Sequence, residues 1–164
     1  METILAEIER ALNAQIFYPA LVVTLTLPDI CAALEAPNGR SSRLKYIAWY
    51  DAHVATIYPL VTAIDCYSIR CGVVHQGKFG HPGSQYSRVI FTLPDPGRNT
   101  FHKNIINDAL NLDPIIFCRD MISIVRLWYE IAQSDPIVQK NLPDVVQVRL
   151  GGIAPYIVGL AVIS

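Results

Sequence analysis

Charge is scarce in this sequence. Asp, Glu, Lys and Arg make up 16% of its 164 residues and nearly cancel, leaving a formal net charge of −1. A protein that coats a nucleic-acid duplex must neutralise many phosphates and is strongly basic, so that class is excluded. Any contact with RNA or a nucleotide has to be local, made by a few arginines or lysines. Cysteine is sparse as well: Cys31, Cys66, Cys71 and Cys118 form no C-x-x-C pair. A chain of this length buries a core without disulfide staples. Four buried, reduced thiols and a reducing, cytoplasmic compartment are the expectation. Long apolar runs are missing too. The longest, Ala20 to Leu27, contains two threonines between Pro19 and Pro28 and is too short for a bilayer. The first ten residues are acidic and periodic and lack the basic start of a signal peptide, so no membrane association is expected.

Several chemical signatures are absent. There is no Gly-rich phosphate loop, no nucleophile-elbow serine and no H-E-x-x-H. His75 and His81 flank a Gly-rich turn but have no carboxylate pair at ligand spacing, so neither a metal nor another cofactor is expected. His53 and His102 have no suggestive neighbours and read as surface or satisfied histidines.

What the chain does have is apolar residues, at 52%. That excess predicts a large buried surface and a subunit interface. The spacing gives a mainly α fold, a compact helical bundle with a minor β element, as a single domain over 1–164. The helical portion spans about 3–133 and an extension about 134–164. Thr3 is the expected cap of a first helix with Ile4, Ile8, Leu12 and Ile16 on one stripe. Pro19 fits the first turn of a second helix reaching about Glu35, with a kink at Pro28. Pro37-Asn38-Gly39 is a turn, after which Ser41 or Ser42 caps a helix to about Val54. Thr62-Ala63-Ile64-Asp65 reads as a capping box opening a helix to about Gln76, with Gly77 as its C-terminal stop. A Gly- and Pro-rich excursion follows, with one short strand, Arg88 to Leu93. Asp113 and Pro114 start the clearest helix, to about Gln133. Its narrow polar stripe (Arg119, Ser123, Arg126, Glu130, Gln133) predicts that it is the central core element, burying Phe117 and Trp128. A short helix at Asp135–Asn141 and short strands within Val145–Leu150 and Tyr156–Ile163 complete the reading.

One segment carries a chemical pointer: Arg70-Cys71-Gly72-Val73-Val74-His75. An arginine mid-helix among apolar residues is costly unless it has a partner or faces an interface. His75 exchanges protons near neutral pH, and Arg70 is a permanent cation that grips phosphate bidentately. Cleaving RNA without a metal needs a proton carrier and a cation for the phosphorane charge, and these two residue types supply both. On an ideal helix, positions five apart lie about 140° around and about 7.5 Å along the axis, so one chain's pair does not easily meet on one phosphate. A two-fold dimer pairing these helices would supply the missing proximity. The structural alternative is that Arg70 pairs with Asp65 or a helix-end carbonyl while His75 caps the helix.

Cys66 to Gly77 resembles the signature of the HEPN superfamily: Arg, four to six residues, then His, late on a bundle helix. The resemblance covers the helical portion, Thr3 to about Gln133. It implies a metal-independent endoribonuclease acting as a homodimer, with Arg70 and His75 catalytic. Gln76 and Lys78 are the expected substrate contacts and Asp65 a structural support. It further implies the toxin of a toxin–antitoxin pair, opposed by a nucleotidyltransferase-like antitoxin. Many members have a polar residue after the Arg, where this sequence has Cys71. Other members are non-catalytic RNA- or nucleotide-binding or assembly modules, and that function stays open beside the enzymatic one.

Overall fold

The computed structural model describes residues 1–79, 85–95, 97 and 100–164. His81 lies outside them. The first helix, α1 (Glu2–Asn13), has Met1 at its N-cap with no side-chain cap, so Thr3 sits inside the first turn and is not the cap. It buries Leu5, Ile8 and Leu12, while Ile16 is exposed beyond its end.

The second helix, α2 (Phe17–Leu34), runs without interruption through Pro28, which is buried inside it. The helix continues past this proline, as the sequence indicates, because packing against its neighbours outweighs the roughly 3 kcal/mol that an interior proline costs. Helix α2 packs against α1, α3 (Arg43–His53), α4 (Ala63–Gln76), α5 (Pro114–Ala132) and α6 (Pro136–Asn141). It is therefore the centre of the bundle, a place the sequence pattern had assigned to α5. The reason is that the apolar residues of α2 surround the helix, whereas α5 keeps a polar stripe and also exposes Leu127 and Ile131. Among the described residues α2 alone is long and apolar enough to cross a membrane. Half of it is buried inside this bundle, as in the core helix of a globular domain.

Side-chain caps place the remaining helices where the sequence indicates. Ser42 caps α3, Thr62 caps α4, Asp113 caps α5 by accepting from the Ile115 and Ile116 N–H groups, and Asp135 caps α6. Phe117 and Trp128 are buried as expected. Tyr18, at the start of α2, meets Phe79 just beyond α4, and Asp29, later in α2, meets Arg70. The two helices therefore run antiparallel.

The β element is larger than expected. Strand β1 (Arg88–Phe91) pairs parallel with β3 (Ala109–Leu112), and β2 (Asn104–Ile106) pairs antiparallel on the other side of β3. Asn107 and Asp108, both at positive φ (49° and 61°), make the tight turn of that hairpin. Strand β3 is buried along its length and leads directly into the Asp113 cap. In the extension, β4 (Val148–Arg149) pairs with β7 (Val162–Ile163), and β5 (Gly152–Ile153) with β6 (Ile157–Val158). The buried residues of α1 to α6 and of the three-stranded sheet form one continuous core.

Candidate functional site

Helix α4 buries one face, including Asp65, Cys66, Ser68, Ile69, Gly72 and Val73. The opposite face is open. Ile64 and Val74 are exposed and Tyr67 and Cys71 half-buried, a stripe at spacings of three, four and three. Arg70 flanks this stripe on one side and His75 on the other, as the 140° separation requires. The helix ends where Gly77 takes a left-handed turn (φ 64°), its N–H and that of Lys78 capping the Val73 and Gly72 carbonyls.

The partner of Arg70 is Asp29 on α2. Arg70 Nε lies 2.7 Å from Asp29 Oδ2, with only 22% and 16% of the two side chains exposed. The other carboxylate oxygen accepts from Ser41 Oγ at 2.9 Å. Burial, the largest single influence, would push the guanidinium towards losing its proton; the adjacent Asp29 carboxylate together with Cys71 and Tyr67 outweighs it, and the group is held more firmly charged than in water. Arg70 Nη1 also reaches Cys71 Sγ at 3.8 Å. Asp65 does not take part. It closes the capping box, accepting from Thr62 Oγ at 2.6 Å while its N–H donates to that same oxygen at 3.1 Å. The support expected from Asp65 thus comes from Asp29, a residue in a different helix with no sequence signal linking it to Arg70.

Arg70 lines a recess of about 410 Å³ between α2, α4 and the start of α3, together with Asp29, Ile30, Ala33, Ser41, Ser42, Arg43 and Tyr67. His75 does not line it. It stands exposed in the last turn of α4, with no hydrogen-bond or ion-pair partner among the described residues. Gln76 and Lys78 are exposed beside it, and Lys78 borders a second recess of about 550 Å³ together with Phe79 and Arg88. One chain therefore does not bring Arg70 and His75 into one recess.

Two further features stand outside the motif. His102 is a satisfied histidine, one of the two readings the sequence left open. Its Nδ1 accepts the Asp113 N–H at 3.1 Å, its Nε2 lies 3.4 Å from Tyr58 Oη, and Tyr58 donates to Asp120 Oδ2 at 2.8 Å. Lys103 Nζ sits 4.1 Å from the centre of the Tyr58 ring. Burial first, and then Lys103, lower the His102 pKa. The second feature is a groove of about 780 Å³ between α3, α5 and α6, walled by Ile57, Leu127, Trp128 and Ile131. At its edge Trp128 Nε1 donates to Glu35 Oε1 at 2.7 Å. Cys31, Cys66 and Cys118 are buried, whereas Cys71 is only half-buried beside Arg70. Among the described residues no three His, Cys, Asp or Glu side chains cluster as metal ligands. Comparison with protein-family models, with curated proteins and with solved structures gives no match.

Proposed function

We propose that this chain is a metal-independent endoribonuclease of HEPN type, active as a homodimer whose two α4 helices face one another across a cleft. The observation that carries the reading is the open stripe Ile64, Tyr67, Cys71 and Val74, flanked by Arg70 and His75. Spacings of three and four are those of a helix–helix seam, and the residues flanking such a seam are the ones that meet across it. In a parallel two-fold pairing, a flanking residue on one helix meets the opposite flank of its partner about five positions on. That register pairs Arg70 of one chain with His75 of the other.

In the cleft His75 moves the protons, taking one from the 2′-hydroxyl and returning one to the leaving 5′-oxygen. Arg70, oriented through its Nε edge by Asp29, directs its remaining N–H groups at the phosphorane oxygens. Gln76 and Lys78, exposed next to His75, contact the strand beyond the scissile phosphate. A toxin role in the cytoplasm, restrained by a nucleotidyltransferase-like antitoxin, follows from the same resemblance. The competing reading, a non-catalytic RNA-binding module, draws on Cys71 in the place after Arg70 and on the neutralisation of Arg70 by Asp29.

The experiment is cleavage of single-stranded RNA in the presence of a chelator, alongside sedimentation. The expected result is a dimer that cuts RNA, with His75→Ala and Arg70→Ala each losing about 10²–10⁴-fold. A protein that binds RNA but never cuts it, with wild type and His75→Ala alike, is the binding module instead. Activity lost to the chelator and restored by Mg²⁺ or Mn²⁺ overturns the mechanism.

A further inference from the structure

We infer that the recess between α2, α3 and α4 is a phosphate subsite, in which a nucleotide phosphate sits against Arg43 and the open edge of Arg70. The ribonuclease reading enters only in naming RNA as the source of that phosphate; the recess itself is argued from its own residues.

The electrostatics favour an anion. Arg43 is exposed and has no carboxylate partner among the described residues, although it stands in the wall of a recess. Arg70 shares its Nε edge with Asp29, which is itself satisfied on its other oxygen by Ser41. Two cations against one carboxylate leave the recess with a single net positive charge. Both guanidiniums lie against the same tyrosine: their Cζ atoms are 5.9 Å (Arg43) and 6.0 Å (Arg70) from the centre of the Tyr67 ring. The ring thus draws both cations to one wall of the recess despite their mutual repulsion.

The backbone adds to this. Ser42 caps α3 through the Lys45 N–H, and no acceptor among the described residues takes the Arg43 and Leu44 N–H groups, so the positive end of this eleven-residue helix stands at the Ser42–Arg43 wall of the recess. The Arg43 guanidinium, which has no hydrogen-bond partner among the described residues, and the helix-end amides together match the tetrahedral oxygens of phosphate, with Arg70 adding its charge alongside. The remaining wall, Ile30, Ala33 and Tyr67, is apolar or aromatic and suits a sugar or base. A volume of about 410 Å³ is that of a small-ligand site. An RNA strand seated here by one phosphate would pass along the flank of α4 that carries Arg70, away from His75 of the same chain.

The test uses Arg43→Ala, Arg43→Glu and Arg43→Lys in the full chain. Arg43 is exposed at the start of α3, where a glutamate favours the helix, so all three keep the wild-type melting temperature. The probes are inorganic phosphate, a nucleoside 3′-monophosphate and a single-stranded oligonucleotide whose 2′-oxygens are methylated against cleavage. Binding is read by calorimetry and anisotropy, and KM and kcat on cleavable RNA. The expected result is that Arg43→Ala weakens oligonucleotide binding roughly tenfold and reduces the slope of log affinity on log salt by about one. Arg43→Glu should weaken it further and Arg43→Lys should restore most of it, while kcat changes less than KM. Oligonucleotide affinity and KM that are the same in all three variants as in wild type overturn the subsite even if the protein cuts RNA. A protein that cuts no RNA, yet loses oligonucleotide binding in Arg43→Ala and Arg43→Glu, keeps the subsite and discards the ribonuclease. Phosphate and the monophosphate binding through Arg43 as tightly as the oligonucleotide would support the phosphate seat but overturn RNA as its source.

Discussion

Asp29 and Arg70, on antiparallel helices, form an ion pair of 2.7 Å in which the Arg70 Nε–H is not aligned on Asp29 Oδ2 and neither atom has a hydrogen-bond partner among the described residues. Removing one member leaves the other charge stranded in a place where water reaches it poorly. Asp29→Asn should therefore destabilise the fold by about 2–3 kcal/mol, below the range for fully buried pairs because both side chains keep some exposure. Replacing both, with Asp29→Asn and Arg70→Met, should recover most of that loss. Urea denaturation of the single and double variants measures this, and a fully additive double variant would show that the two charges do not act as a pair.

Trp128→Ala should cost about 3–5 kcal/mol, the range for large-to-small changes in a core. Its ring is buried against Trp49 with centroids 5.9 Å apart, and its N–H holds Glu35. Arg126→Ala is the contrast. Arg126 joins Glu2 and Glu9 on α1, but all three side chains are at least 41% exposed, so the loss should be below about 1 kcal/mol and shrink in salt. Chemical denaturation at low and high ionic strength separates the two cases.

Stability should fall on acidification because of His102. Its Nδ1 accepts the Asp113 N–H, which requires that nitrogen to be unprotonated, and burial with Lys103 lowers its pKa from the ordinary 6.5. The unfolded chain therefore binds the proton more readily than the folded one. The contribution is fully present above the unfolded pKa and is lost as pH falls below it towards the lowered folded value. His102→Asn, which keeps an acceptor but does not titrate, should flatten the melting temperature between about pH 5 and about pH 7 relative to wild type. Parallel pH curves for the two proteins would show that His102 does not carry this dependence.

The helices were legible wherever a side chain announces their ends. Thr62, Asp113 and Asp135 are short polar residues that satisfy free N–H groups locally, so cap and helix are written in the same few residues. What escaped was set by distant partners. The central position of α2 depends on which faces the other helices cover. The β2–β3 hairpin was missed although Asn107-Asp108, a pair that tolerates positive φ, lay between two apolar pairs and was the available signal. In the candidate site, Arg70 and His75 were visible as residue types, but Asp29, Ser41, Arg43 and Tyr67 come from three segments that only folding assembles. Similarly, the Tyr58, His102 and Asp120 chain joins three stretches remote in sequence.

The most direct test of the central claim, a composite site built by two chains, is complementation. Arg70→Ala and His75→Ala proteins are prepared separately, each inactive, then mixed and allowed to exchange subunits, with differently tagged chains used to measure the fraction of mixed dimers. A mixed dimer holds one site with Arg70 from one chain and His75 from the other, so RNA cleavage should return to about a quarter of the wild-type rate, half the dimers being mixed with one of their two sites intact. Mixed dimers that form and still fail to cut, beside a wild-type protein that does, would contradict the composite site.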